Sequence, residues 1–240
     1  MRTINFVGQS DKTDLMLYIA KLVKAMNKKV LYIDSKTTQK CRYIVPAIKY
    51  EEEYITTFEE IDIAVGFESH EAIVSYLNEN GEDFNQYDYV FIDVNSNEMC
   101  ELFNVQNPNT IFVITSYDKY DMFKSIGILE KMCGQENEYM KDAKVQRIYK
   151  YSFLNTADEK YINYSFDSKE DIKYAEKNIY IPLDEGDNSI IIQNQYSEKI
   201  KLKELSKDYK KGLISILQVI MPDENINVIT KTFKNVERMV

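Results

Sequence analysis

The sequence predicts an α/β domain: a doubly wound, mainly parallel β-sheet with helices on both faces. Three observations lead to this fold class. Short apolar segments alternate with longer segments whose apolar residues recur at helical spacing. Residues 30–34 and 87–93 are largely apolar runs that end in a carboxylate, which is typical of strands buried on both faces. The first strand, helix and strand follow one another within about 30 residues, and such a βαβ unit has parallel strands.

The N-terminal βαβ unit begins with residues 3–7, a short apolar strand. Residues 14–27 then place apolar side chains at helical spacing. Lys28 and Lys29 follow, where cations suit the negative end of the helix dipole. Residues 30–34 complete the unit as the second strand.

The middle of the chain repeats this alternation. Ser69 is a suitable N-cap for a helix, and Gly81 is suited to end it. Beyond the first unit, the predicted elements are a weak strand at 61–65, a helix at 70–80, strands at 87–93 and 110–115, a helix at 120–133, a strand at 178–183 and a helix at 203–221.

Residues 145–166 differ, because two segments within them tend towards a strand-like alternation. With a turn-like segment at 155–158 between them, they predict a β-hairpin, or one strand with an irregular insert. Pro222 ends the last long helix. We therefore expect one domain over residues 1–222, followed by a charged tail or a short helix at 223–240.

The composition restricts the function classes. The net charge is −9 and the pI is near 4.9, which argues against non-specific nucleic-acid binding, because that needs a basic face. His70 is the only histidine, so a histidine metal cluster or a Ser-His-Asp triad would depend on one residue. The three cysteines lack metal-site spacing, and no apolar run reaches the ~18 residues of a membrane span. We expect a cytoplasmic protein with reduced cysteines.

The junction between the first strand and helix reads Phe-Val-Gly-Gln-Ser-Asp-Lys-Thr. A loop at such a junction binds phosphate when glycines let backbone N–H groups converge on it. Here Gly8, Lys12 and Thr13 suit that chemistry: Lys12 supplies a charge to phosphate, and Thr13 supplies a hydroxyl to Mg²⁺.

The collinear order of these pieces resembles the MinD/ParA family of deviant Walker A ATPases, over nearly the whole chain. The loop at 6–13 lies at the family's phosphate loop, residues 29–34 are similar to its second strand, and residues 87–93 to its Walker B strand. Residues 181–184 are similar to its late strand. The resemblance implies ATP with Mg²⁺, and it places Asp34 and Asp93 beside the metal and the attacking water.

The loop departs from the family pattern K-G-G-x-G-K-[ST] at three positions. Val7 replaces the lysine that reaches across a dimer, and Gln9 and Asp11 replace glycines, with Ser10 at the free position. At ~4–5 Å and an effective dielectric of ~20, the Asp11 carboxylate would repel each phosphate charge by roughly 3–4 kcal/mol before screening. This repulsion largely cancels the attraction between Lys12 and the phosphates, so ATP hydrolysis by the family mechanism is not expected.

Plain structural roles remain open for these residues. Asp34 and Asp93 could simply end parallel strands at the polar edge of the sheet. Asp11 could accept N–H groups at the helix start, and its carboxylate would then take the place of a phosphate. We favour this interpretation, in which the loop supplies its own anion.

Three functions compete. The first is a catalytically degenerate scaffold or positioning partner in bacterial division, partition, pilus or secretion machinery. Such a protein would bind no cofactor and would have a protein partner, and it could form a homodimer. The second is an active or nucleotide-gated ATPase that uses Lys12, Thr13, Asp34 and Asp93 with Mg²⁺-ATP. The third, a DNA-partitioning or transcription partner, is opposed by the acidic pI.

The C-terminal segment raises a separate hypothesis about location. Residues 226–240 carry Val228, Ile229, Phe233, Val236 and Val240 together with basic side chains, so the segment is mildly amphipathic and basic. Such a segment favours contact with a membrane surface or a partner helix.

Overall fold

The computed structural model describes residues 1–46, 53–103, 110–133, 144–152, 156–169 and 172–238. Strands and helices alternate along much of this part of the chain, which ends in three consecutive helices. The strands are β1 (Arg2–Val7), β2 (Val30–Asp34), β3 (Tyr54–Phe58), β4 (Ile61–Val65), β5 (Tyr89–Val94), β6 (Thr110–Thr115), β7 (Lys144–Ser152), β8 (Lys173–Tyr174) and β9 (Ile179–Pro182). The α-helices are α1 (Thr13–Lys24), α2 (His70–Glu79), α3 (Asn97–Leu102), α4 (Lys119–Cys133), α5 (Thr156–Asp167), α6 (Glu185–Ser197), α7 (Lys207–Ile220) and α8 (Ile226–Val236).

The strands form one sheet in the order β3-β4-β2-β5-β1-β6-β7-β8, and β9 also pairs with β7. Every pairing is parallel except β3 with β4. The register places Asp93 opposite both Asp34 and Phe6, so the two aspartates and the end of β1 meet at one edge. This edge holds the candidate site.

The sheet is covered on both faces, which confirms the predicted fold class. Alternate residues of one strand enter different cores: Tyr32 packs with α1, α7 and α8, whereas Leu31 and Ile33 pack with α2, α3, α4 and α5. Phe6 stacks on Phe112 of the neighbouring strand at a centroid distance of 5.1 Å. The apolar runs therefore serve two cores at once.

The predicted β-hairpin at 145–166 is wrong. Its first half forms β7, which is parallel to β6, but its second half lies in α5. The residues that pack inward are Ile162 and Phe166, four positions apart as on a helix, while Tyr161 and Tyr164 are exposed. The expected turn at 155–158 is part of α5 from Thr156 onward, and position 155 lies outside the described residues.

The segment after Pro222 contains α8. Ile229, Phe233 and Val236 bury its apolar face in the core, and Lys210 pairs with Glu237. Of the apolar residues that favoured a membrane surface, only Val228 is exposed among those described. No described helix is long and apolar enough to cross a bilayer.

Besides α5, the sequence did not predict the antiparallel edge strand β3, the short strand β8, or the helices α3 and α6. The apolar residues of helix α6 do not recur at helical spacing, because Ile190, Ile191 and Ile192 are consecutive in the sequence. Only Ile191 of these three is buried. Apolar spacing therefore gives no signal for such a helix.

Candidate functional site

The loop between β1 and α1 is anchored by groups of the protein itself. Gly8 has φ +142°, and a Cβ there would lie 2.1 Å from the carbonyl oxygen of Ile114, so only glycine fits. The Gly8 N–H donates to Val94 O at 3.0 Å, and the Gln9 N–H donates to Ser125 Oγ at 3.1 Å. Ser10 Oγ donates to Asp121 Oδ2 at 2.6 Å. Two backbone donors of this loop, the N–H groups of Gly8 and Gln9, are therefore already used.

Lys12 lies inside the protein. Its side chain is 0% exposed, and its Nζ is 2.7 Å from Asp93 Oδ1. The same ammonium donates to Gly8 O at 2.8 Å. Lys12 thus neutralises a carboxylate of the sheet edge and closes the loop onto itself.

A second ammonium, that of Lys36, completes this buried cluster. Lys36 Nζ is 2.7 Å from Asp93 Oδ2 and donates to Thr13 Oγ1 at 2.5 Å. It also lies 3.9 Å from Asp34 Oδ1 and 3.8 Å from Asp11 Oδ1. Lys36 therefore contacts Thr13, Asp34 and Asp93, the three residues expected at the Mg²⁺.

Burial and neighbouring charges shift the pKa values of this cluster in different directions. Burial acts to raise the pKa of Asp93, but the ammonium groups of Lys12 and Lys36 outweigh it and hold that pKa below its ordinary value. Burial acts to lower the pKa of Lys36, but Asp93 and Asp34 outweigh it and raise that pKa. Asp34 is less well compensated, and burial raises its pKa despite Lys36. Of the two carboxylates, Asp93 is therefore the one whose ionised form the neighbouring ammonium groups stabilise more strongly.

Asp11 occupies a cradle of lysines. Its Oδ1 accepts the Thr13 N–H at 3.2 Å and the Thr13 hydroxyl at 2.9 Å, and Lys40 donates to its Oδ2. Burial acts to raise the pKa of Asp11, but Lys150, Lys40 and Lys36 outweigh it and lower the pKa. Asp11 thus accepts an N–H at the helix start, although Lys12 is the residue in the N-cap position.

A second buried network ties the loop to the other end of the chain. Lys150 Nζ donates to Asp11 O and to Asp14 Oδ1, both at 2.7 Å. Tyr209 Oη donates to the other carboxylate oxygen of Asp14 at 2.8 Å. Strand β7 therefore holds both the loop and the first turn of α1, and helix α7 also holds that first turn.

The structure brings the predicted residues Thr13, Asp34 and Asp93 together with Lys12. Sequence reasoning missed Lys36, Lys40 and Lys150. A signal for Lys36 was present, since it follows Asp34 by two residues at the end of a strand. Lys40 and Lys150 carry no such signal, because only the folding of distant segments brings them to Asp11.

This arrangement does not fit a Mg²⁺-nucleotide. The Lys36 ammonium lies among the oxygens expected to bind the metal, and the Asp11 carboxylate lies beside Thr13 at the helix start, where the phosphates are expected. The Gln9 N–H, which would face phosphate, donates to Ser125 instead. Nucleotide binding would require these contacts to break.

Comparison with protein-family models finds no match, and comparison with curated proteins finds none either. Solved structures do share the fold. A chain of the MinC:MinD cell division protein complex of Aquifex aeolicus aligns with a TM-score of 0.63 and 11% identity, over 94% of this chain and 97% of that chain.

Two of the matching structures were solved with nucleotide analogues. A putative plasmid partition protein of Borrelia burgdorferi B31 bound to AMPPNP has a TM-score of 0.59 and 14% identity, over 93% of this chain and 99% of that one. Cobyrinic acid a,c-diamide synthase of Mycobacterium smegmatis, with an ATP analogue and magnesium, has a TM-score of 0.60 and 10% identity, over 93% and 97%. The chain therefore has the MinD/ParA-like fold of P-loop ATPases that the sequence predicts.

Proposed function

We propose that this chain is a nucleotide-independent protein of MinD/ParA-like fold that acts as a scaffold or positioning partner. The observation that carries the proposal is the buried ion cluster in which Lys12 and Lys36 both bind Asp93. In this cluster the lysine that would reach phosphate is satisfied by a carboxylate of the protein. The loop is thereby held in one conformation without a ligand.

The energetics favour the closed cluster. Separating one partner from a buried ion pair costs about 3–5 kcal/mol, since it leaves a charge without compensation. A bound triphosphate would have to draw Lys12 away from Asp93 and displace Asp11 from its lysine cradle. New interactions with phosphate would first have to offset both costs.

A second candidate function is the nucleotide-gated ATPase. Two structures with the same fold hold ATP analogues, which favours nucleotide with Mg²⁺ over no cofactor at all. Lys12, Thr13, Asp34 and Asp93 also lie together at the expected edge of the sheet. In that case the ion cluster would be a resting state that nucleotide opens.

The proposal predicts that Mg²⁺-ATP leaves thermal stability unchanged. A ligand present at a hundred times its Kd stabilises a protein by about 2.7 kcal/mol, which shifts the Tm of a chain of this size by several degrees. We expect a shift of less than about one degree at millimolar Mg²⁺-ATP, measured by differential scanning fluorimetry against Mg²⁺ alone.

The competing function makes the opposite prediction. A Tm rise of several degrees that Lys12→Ala removes would overturn the nucleotide-independent proposal. Because Lys12→Ala also leaves Asp93 without one partner, binding of a fluorescent ATP analogue to the unaltered protein serves as a second measurement. Saturable binding there would lead to the same conclusion.

A further inference from the structure

The solvent-facing side of α4 carries large apolar side chains that the described part of the chain leaves exposed. Tyr120 is 60% exposed and Phe123 is 53% exposed. Gly127 follows Phe123 by four residues and Tyr120 by seven, so the three positions lie along one side of the helix. Exposed aromatic residues in a contiguous stripe are typical of protein interfaces. We call this side, with Lys124, Glu130 and Lys131, the α4 face.

Gly127 has no structural role that the described residues explain. No atom lies within 4 Å of the position that a Cβ would occupy, and its φ is not positive. A glycine inside a helix destabilises it relative to alanine. At a half-buried position four residues after Phe123 and seven after Tyr120, glycine lets another backbone approach the helix closely.

The α4 face has Lys124 on one side of Gly127 and the adjacent pair Glu130 and Lys131 on the other. Towards the helix start, Lys124 Nζ lies over the ring of Tyr120 at 5.6 Å, and no carboxylate pairs with Lys124 in the part of the chain that the structure describes. Towards the helix end, Glu130 pairs with Lys169 but keeps 45% of its side chain exposed. Glu130 can therefore accept a second cation.

We infer that the α4 face is a two-fold symmetric docking surface for a second copy of this chain. When two such helices cross antiparallel at Gly127, residues at equal distances from it meet. Lys124 of one copy then lies opposite Glu130 of the other, three residues from the centre on each side. Phe123 lies opposite the aliphatic stem and ammonium of Lys131, a favourable cation–π geometry. A two-fold axis repeats each contact.

The surface extends beyond one helix. Lys119 Nζ lies 5.7 Å from the ring centroid of Tyr161 on α5, so the two helices are neighbours. Tyr161 is 47% exposed and Tyr164 is 72% exposed. These rings add apolar area next to the α4 face, which a stable interface of about 800 Å² per partner requires.

This inference rests on the proposed function. A scaffold that holds its loop closed has no nucleotide through which two copies could associate. Val7 also replaces the lysine that, by resemblance, reaches across a dimer. An interface on α4 would let copies assemble independently of the loop.

Charge reversal tests the inference in buffer without nucleotide, by analytical ultracentrifugation. We expect Lys124→Glu and Glu130→Lys each to raise the dimer dissociation constant at least about tenfold, because each homodimer then contains two like-charge pairs. Mixing the two variants should restore dimers, since positions 124 and 130 then carry opposite charges in both contacts across the two-fold axis. The double variant should restore the homodimer. Lys231→Glu on the exposed side of α8 is the control, because it changes the net charge by the same amount as Lys124→Glu.

Each outcome decides the inference. Dimers that form in the mixture and in the double variant, but not in either single variant, support it. A wild-type protein that stays monomeric at about 100 µM overturns it, as does a dimer that neither reversal weakens. The Mg²⁺-ATP measurement is separate, so failure of this interface leaves the nucleotide-independent proposal intact.

Discussion

Asp93→Asn is expected to lower the free energy of unfolding by about 3–5 kcal/mol, because it leaves two buried ammonium groups without their shared anion. Lys12 and Lys36 each lie 2.7 Å from a different oxygen of the Asp93 carboxylate. The Tyr32 hydroxyl also donates to this carboxylate at 3.0 Å. An amide has nearly the same shape, so the loss reports charge and not packing.

Asp34→Asn is the matched control at the neighbouring position of the sheet. Burial raises the pKa of Asp34, so folding disfavours its ionised form relative to the unfolded chain. The amide oxygen can still accept the Cys41 N–H, which Asp34 Oδ2 accepts at 2.8 Å. We expect the free energy of unfolding to change by less than about 1 kcal/mol.

The pH dependence of stability should separate the two aspartates. Because the pKa of Asp93 is lowered by folding, its contribution is present above the ordinary value of 3.8 and is lost as the pH falls towards the folded pKa. The difference between wild type and Asp93→Asn should therefore narrow below about pH 4. The contribution of Asp34 has the opposite sign: it is fully present below pH 3.8 and is lost as the pH rises through its raised pKa.

Urea unfolding followed by circular dichroism at pH 7 and at about pH 3–5 measures these effects. An Asp93→Asn variant within about 1 kcal/mol of wild type at pH 7 would show that the ion cluster does not stabilise the fold. The cluster could then not hold the loop closed against a nucleotide. If Asp93→Asn and Asp34→Asn lowered the free energy of unfolding equally, Asp93 would not be the carboxylate that the lysines stabilise more strongly.

Gly8→Ala is expected to destabilise the protein by about 3 kcal/mol or more, with contributions from backbone strain and from displacement of β6. Gly8 has φ +142°, a conformation that L-residues rarely adopt. The new methyl group would lie 2.1 Å from the Ile114 carbonyl oxygen, which is backbone and cannot rotate away.

Gly127→Ala is the matched control, since it adds the same methyl group where no atom lies within 4 Å. We expect it to raise the free energy of unfolding by about 0.5–1 kcal/mol, from helix propensity alone. Both variants are compared by urea unfolding at low protein concentration, so that association does not contribute. A neutral Gly8→Ala would show that the loop can move away from β6, as a nucleotide-gated site requires.

Much of the fold follows from local patterns. Residues 30–34 and 61–65 become strands as predicted, because apolar β-branched runs fill both faces of a covered sheet. Helix α5 was missed because the exposed Tyr164 stands midway between the buried Ile162 and Phe166 in the sequence, so that the three residues alternate with polar ones as on a strand. Periodicity reports where apolar residues recur, not whether a neighbour covers them.

The sequence by itself determined the α/β fold, the position of the loop, and the strand-end carboxylates Asp34 and Asp93. Parallel strands that end at one edge of a sheet bring such residues together whatever the helices do. Only the tertiary structure decided what those residues contact. The ammonium groups of Lys36 and Lys150 end long flexible stems on separate strand ends, and the packing of β2 and β7 around the loop directs them onto Thr13 and Asp11.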